Sequence, residues 1–263
     1  MRSIWSGALA FGLIYIPVKL YDATRTHRIN FDMLRKEDLC RVRYVRVCGE
    51  SGEEVPFDEI VKGYQYRKGE YVVLDPQDFR RANVKKTQTI EIHGFVDGGE
   101  VDQKFLEKPY YLEPLRGAAK AYSLLIEALQ KSGKVAVARY VMKTREHMAL
   151  IKPYENVLVL NQMRFADEIR SSSQLDLPSV KEQQIPQREL EMAVNLIEQL
   201  TIPWEPEKYH DSYFEDLQRI IQEKVEGKAP EEIPAEPPPS QIGDLFSSLS
   251  KSLEEAKKRQ KAA

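Results

Sequence analysis

Lys19, Arg28, Arg35, Lys36, Arg41, Arg43 and Arg46 crowd the first part of the chain. None of them has a nucleophile or general base beside it, and cations alone do one thing well, which is to neutralise phosphate. The run Arg41–Cys48 (RVRYVRVC) alternates strictly. A strand there turns Arg41 and Arg43 to one face, two strand rises (~7 Å) apart, and Val42, Tyr44 and Arg46 to the other. That spacing is close to a phosphate step on a DNA strand, which carries one charge per ~3.4 Å. A solvated strand face is the plainer alternative.

Other candidate chemistry is thin. Cys40 and Cys48 suggest zinc, but a structural site needs four ligands at ribbon spacing, and position 51 is Ser51 where a second Cys-x-x-Cys would end. The histidines His27, His93, His147 and His210 have no ligand spacing. No metal site and no cofactor are expected. The sequence has no phosphate-binding glycine loop, no nucleophile elbow and no His-Glu-x-x-His. The acid pairs Glu53–Glu54 and Glu231–Glu232 fall in turns or linkers with nothing to raise a pKa. His210 beside Asp211 reads as a helix-cap region. Sequence favours a binding protein over an enzyme.

What must position the cations is a β-rich frame. Val135–Met142 (VAVARYVM), His147–Tyr154 (HMALIKPY) and Val157–Arg170 are apolar, β-branched runs joined by short charged turns, which predicts a meander of antiparallel strands. VAVA and VLVL are apolar at nearly every position, so both faces should be covered. Met1–Tyr21 predicts one or two strands, with Pro17 at an edge or a strand end. Thr89–Phe95 alternates as a strand, with Gly94 as a bulge. Val101–Tyr111 reads as irregular. Asp75 should cap a short helix, and Arg116–Ser132 carries a clear apolar stripe ended by Gly133. Helices are also expected over Gln187–Leu200 and after Asp211, the last with Phe214, Leu217, Ile220, Ile221 and Val225 facing inward.

Residues 22–66 break this pattern, as a polar, basic excursion too long for a hairpin. Further on, Glu226–Ser240 is rich in Pro and Glu and predicts disorder. Beyond it, Ile242, Leu245, Phe246, Leu249 and Leu253 form a narrow apolar stripe before a basic end. A helix on a tether of this kind suits docking into a partner's groove. The division expected is therefore 1–186 as a β core with its excursion, 187–228 as helices, and 229–263 as linker and tail. With 263 residues, 42% hydrophobic, 30% charged and a net charge of −2, the whole is read as a globular chain whose overall charge says nothing of nucleic acid. No apolar run is long enough to span a bilayer. Gly7, Gly12, Pro17 and Lys19 spoil a secretory signal, and two cysteines make no disulfide framework. A cytoplasmic protein is expected.

The segments RSIWSGALAFGLIYIPVKLY, RVRYVRVCGESGEEVPFDEIVKGYQY, YYLEP, GKVAVARYVMKTREHMALIKP, RFADEIR and EPEKYHDSYFEDLQRIIQEK resemble, in order, those of bacterial Ku proteins. The tail GDLFSSLSKSLEEA resembles their short C-terminal motif. The resemblance implies a mixed α+β, β-rich fold: a seven-stranded Ku-type β-barrel with an inserted DNA-encircling arm at about 22–66, C-terminal helices and a flexible tail. It implies a ring-shaped homodimer threaded by double-stranded DNA ends, joining breaks with an ATP-dependent DNA ligase D at the nucleoid. Lys19, Arg28, Arg35, Lys36, Arg41, Arg43 and Arg46 are then the DNA-binding set. Asp244, Leu245, Phe246, Leu249 and Leu253 are then the ligase-recruiting tail. Many relatives complete Cys-x-x-Cys where this chain has Ser51, and a long Lys-rich extension found in some is missing. Two other readings are a scaffold whose main task is ligase recruitment and a metal-dependent nuclease.

Overall fold

Gly12, at a φ of 55° that a side chain disfavours, turns β1 (Trp5–Phe11) back into β2 (Ile14–Asp22). The two pair antiparallel from Trp5↔Leu20 to Phe11↔Ile14. Alternation buries Ile16, Val18 and Leu20 and leaves Pro17, Lys19 and Tyr21 on the other face. Pro17 stands opposite Ala8, inside that ladder, but where the ladder of β2 with its other neighbour ends. Its carbonyl accepts from the Leu115 N–H at 2.9 Å, and no donor is asked of it.

The computed structural model describes residues 1–26, 28–82, 88–143, 145–179 and 185–228, with Leu249, Ser250, Ser252 and Glu254. After Asp22 the chain leaves the sheet. It makes β3 (Lys62–Arg67), β4 (Glu70–Leu74) and α1 (Pro76–Ala82), then returns as β5 (Thr89–Asp97). β6 (Leu106–Pro114), α2 (Ala119–Ser132), β7 (Lys134–Met142), β8 (Arg145–Tyr154) and β9 (Val157–Met163) follow. Seven strands close into a barrel in the order β1-β2-β6-β9-β8-β7-β5. The parallel pair β1–β5 completes the circle. Closure leaves no sheet edge for another chain to add to.

The expected meander is β7–β8–β9, and both its faces are covered. Ala136, Ala138, Tyr140, Leu158 and Leu160 join the main core with Leu9, Ile90 and Leu112. Val135, Leu150 and Met163 pack on the other side with Phe105 and Leu106. α2 adds Tyr122, Leu125, Ile126 and Leu129 to the main core. Its Gly133 cap takes the left-handed conformation at φ 65°. The Tyr122 hydroxyl donates to the Leu112 carbonyl at 2.5 Å and accepts from the Leu158 N–H at 2.8 Å.

Two local readings change and a third holds. β6 occupies part of the stretch read as irregular, because Glu107, Lys108 and Pro109 conceal its alternation and a register shift interrupts its pairing with β9. The last meander strand ends at Met163, and Ala166–Glu168 is a single helical turn. The bulge expected at Gly94 is present, as a shift between Ile92 and Gly94 against β7.

The chain forms two compact units, 1–26 with 30–171, and 27–29 with 172–263. The second holds α3 (Gln187–Leu200) and α4 (Ser212–Val225). Asp211 caps α4 as expected, accepting from the Phe214 N–H at 3.0 Å. Neither helix fully buries a residue among those described, and Val225 is 76% exposed. α4 is thus not the core helix that its stripe predicts. Its apolar face finds no complete cover in the described part of its own unit. No helix of the described residues is long and apolar enough to cross a membrane.

Candidate nucleic-acid interface

The excursion between β2 and β5 is anchored at its root. The Lys108 ammonium pairs with Asp22, the last residue of β2, and the carboxylate holds that lysine above its ordinary pKa. One residue on, the Ala23 N–H donates to the Pro109 carbonyl at 3.3 Å. Beyond this tie, the segment 30–59 contains no strand longer than a single bridge.

The strand expected over Arg41–Cys48 is not there. The chain instead makes two minimal hairpins. In the first, Leu34 bridges Arg41, Val42 N–H donates to Met33 O at 2.8 Å, and Leu39 closes the turn at φ 56°. In the second, Val47 bridges Glu54, Cys48 N–H donates to Glu53 O at 2.8 Å, and Gly52 closes the turn at φ 75°. Residues 43–45 form the joint. Among the described residues no neighbouring strand meets their backbone groups, so local turns win over a straight ladder. The face-sharing of Arg41 and Arg43 inferred from strand alternation does not carry over.

Each cation has its own setting. Lys19 lies on the barrel wall opposite Ser6 and Glu113, the carboxylate that accepts from the Tyr21 hydroxyl at 2.5 Å. Arg28 is exposed and belongs to the second unit. Arg35 forks onto Asp38, with its Nε 2.9 Å from Oδ1, and lowers that carboxyl's pKa. Arg41 pairs with Asp32. Arg46 lies over the Phe57 ring at 5.1 Å, within cation–π range. Lys36 and Arg43 are exposed, and neither forms an ion pair among the described residues. Surface pairs such as Arg35–Asp38 are worth little in water, and a denser anion can exchange for the carboxylate.

Three further cations, Lys62, Arg67 and Lys68, lie outside the set named from the sequence. β3 and β4 form a hairpin turned by Lys68 and Gly69 just after Arg67, Gly69 at φ 84°. Lys62 on β3 lies 4.8 Å from the centre of the Phe79 ring of α1. Two alternating runs around a basic, glycine-closed turn were the available signal. Residues 30–74 also leave Phe31, Met33, Val42, Tyr44, Val45 and Val73 exposed, Tyr44 at 85%. A segment that leaves so many apolar side chains uncovered has the surface of an interaction site.

Cys40 and Cys48 are both free and exposed. Among the described residues no three His, Cys, Asp or Glu side chains gather as a metal set. The Ser51 and Glu50 N–H groups and the Ser51 hydroxyl point at the Cys48 thiol and pull its pKa down to about 7. A thiol with a lowered pKa is deprotonated above that value and nucleophilic there. Alkylation of Cys48 by iodoacetamide, followed by peptide mass analysis, should therefore climb through a midpoint near pH 7. A midpoint in the ordinary thiol range would show that the turn does not hold in solution.

Of the tail residues, Leu249 is helical and half-buried, while Asp244, Leu245, Phe246 and Leu253 lie outside the described residues.

A family model described as the Ku70/Ku80 beta-barrel domain matches residues 10–192. The non-homologous end joining protein Ku of Opitutus terrae is 44% identical over 255 residues, 96% of this chain and 91% of its own. Its namesake in Anaeromyxobacter sp. is 44% identical over 259 residues, 98% of this chain and 87% of its own. That of Coxiella burnetii is 37% identical over 267 residues and covers 100% of this chain and 97% of its own. With a closed seven-stranded barrel and matches that run the length of the sequence, the chain belongs to the Ku β-barrel family.

Proposed function

We propose that this protein binds the ends of linear double-stranded DNA, without reading sequence, in the repair of double-strand breaks by non-homologous end joining. Two copies pair as a homodimer, and their excursions close a ring through which the duplex end threads. The observation that carries this reading is the excursion itself. It combines exposed cations at Lys36 and Arg43, which form no ion pair among the described residues, with apolar side chains that one chain leaves bare. The cations suit phosphate, and the bare surface suits a second copy. Backbone contacts fix position and carry no sequence information. The protein acts as a clamp, with no catalytic step of its own. Its place is the bacterial cytoplasm, at the nucleoid.

The tail after Gly227 recruits an ATP-dependent DNA ligase D, with Asp244, Leu245, Phe246, Leu249 and Leu253 as the docking face. The stripe of the tail and its Pro-rich tether in the sequence support this part.

A closed ring has access only from an end, so topology tests the proposal. Linear duplex should be retarded on a gel at protein concentrations that leave covalently closed circles of the same sequence free. Equal retention of both would sink the ring. A chain truncated after Gly227 should keep end binding and lose stimulation of the ligase. Loss of both activities would remove the separate docking role from the tail.

A further inference from the structure

Register sorts the β3–β4 hairpin into two faces. Lys62 stands opposite Leu74, Tyr64 opposite Val72, and Arg67 opposite Glu70, all on one face. Gln65 and Tyr71 take the other, where the Tyr71 ring lies over Gly63, 3.4 Å from the place of a Cβ. The ladder shifts between Gln65 and Arg67, which makes Tyr66 the bulged residue. Tyr64 is 66% exposed and Tyr66 is 53% exposed. The first face thus presents an open aromatic ring between Lys62 at one end and Arg67, with Glu70 opposite it, at the other, and Lys68 lies in the turn just beyond. None of these three cations forms an ion pair among the described residues.

We propose that this face of the hairpin binds the unpaired bases of a single-stranded overhang. Tyr64 stacks a base, and Lys62, Arg67 and Lys68 meet the flanking phosphates. The inference rests on the end-binding reading above and adds a ligand to it. Single-stranded nucleic acid is held by this combination of stacking rings and a cationic track. Every base has a π-face, so the contact is sequence-tolerant, as a repair clamp requires. A second protein copy is the weaker occupant for this face. The centres of protein–protein interfaces are depleted in lysine, whereas Lys62 and Lys68 flank the ring here. The bare valines of the excursion suit such a partner better.

The test compares three duplexes with the full-length protein in one competition assay: blunt, with an oligothymidine overhang, and with an abasic overhang of equal length. Stacking of one base is worth about tenfold in affinity. The thymidine overhang should bind about tenfold tighter than the blunt end, and the abasic overhang should recover only the part due to its phosphates. Tyr64→Ala should abolish the base-dependent gain, Tyr64→Phe should keep it, and blunt-end binding should be unchanged in both. An equal gain from abasic and thymidine overhangs overturns the proposal. So does a Tyr64→Ala protein that loses blunt-end binding and falls to single-subunit mass, which would assign the face to a second copy. Failure of the wild-type protein to bind blunt ends would instead overturn the end-binding reading beneath it.

Discussion

Lys36→Glu with Arg43→Glu should weaken binding to linear duplex by about a hundredfold near physiological salt, while the protein stays folded and paired. Each cation that neutralises a phosphate releases counterions and adds about 0.9 to the salt slope. Reversing two of them removes two contacts and adds two repulsions. The slope of log affinity against log salt should therefore fall by about two. These two residues are the right choice because their side chains are exposed and form no ion pair among the described residues. Changing Arg41 or Arg35 would also unpair Asp32 or Asp38, and the result would mix DNA contact with local turn stability. The loss should be the same for every duplex sequence, because phosphate contacts are blind to bases. Fluorescence anisotropy across a salt series reads both quantities. An unchanged slope would remove Lys36 and Arg43 from the DNA surface, whatever the affinity did.

The barrel was legible because burial writes itself into sequence twice. VAVA is apolar at consecutive positions because its two faces meet different clusters, Ala136 and Ala138 in one and Val135 and Val137 in the other; in VLVL, Leu158 and Leu160 join the main core while Val159 is buried on the opposite face. Gly94 and Gly133 announced a bulge and a cap, and at Gly133 the φ of 65° is one that few other residues adopt. β6 was hidden for the opposite reason. Its Lys108 and Pro109 serve the root of the excursion, through Asp22 and Ala23, so the strand's pattern bends to a second task.

The candidate interface was legible in composition and illegible in conformation. RVRYVRVC has the alternation of a strand, and β-propensity describes a residue's fit to a half-buried pleated surface. Residues 43–45 have no such surface, since no described strand pairs with them, and the segment folds into turns set by Leu39 and Gly52. Alternation alone cannot tell whether a neighbour exists. The same limit hid the state of α3 and α4. Their stripes predict burial, and the stripe of α4 was read as a core face, yet no residue of either helix is fully buried.

The second large effect concerns the barrel's link to α2. Tyr122→Phe should lower stability by about 2–4 kcal/mol, because it strands two buried backbone groups at once. The Leu112 carbonyl on β6 loses its donor, and the Leu158 N–H on β9 loses its acceptor. Leu112 faces Leu158 from β6, and the hydroxyl of Tyr122 bridges the two, accepting from the Leu158 N–H and donating to the Leu112 carbonyl. The ring itself remains, so core packing against Leu125 and Ile126 is preserved and the loss isolates the hydroxyl. The thermal midpoint should drop by roughly 5–10 °C for a unit of this size. End binding measured well below that midpoint should be unchanged, since Tyr122 lies in the barrel's core and touches no candidate cation. A variant as stable as the wild type would mean that water reaches Leu112 and Leu158 in place of the hydroxyl. The end of α2 would then be more open than a core residue with 5% exposure suggests.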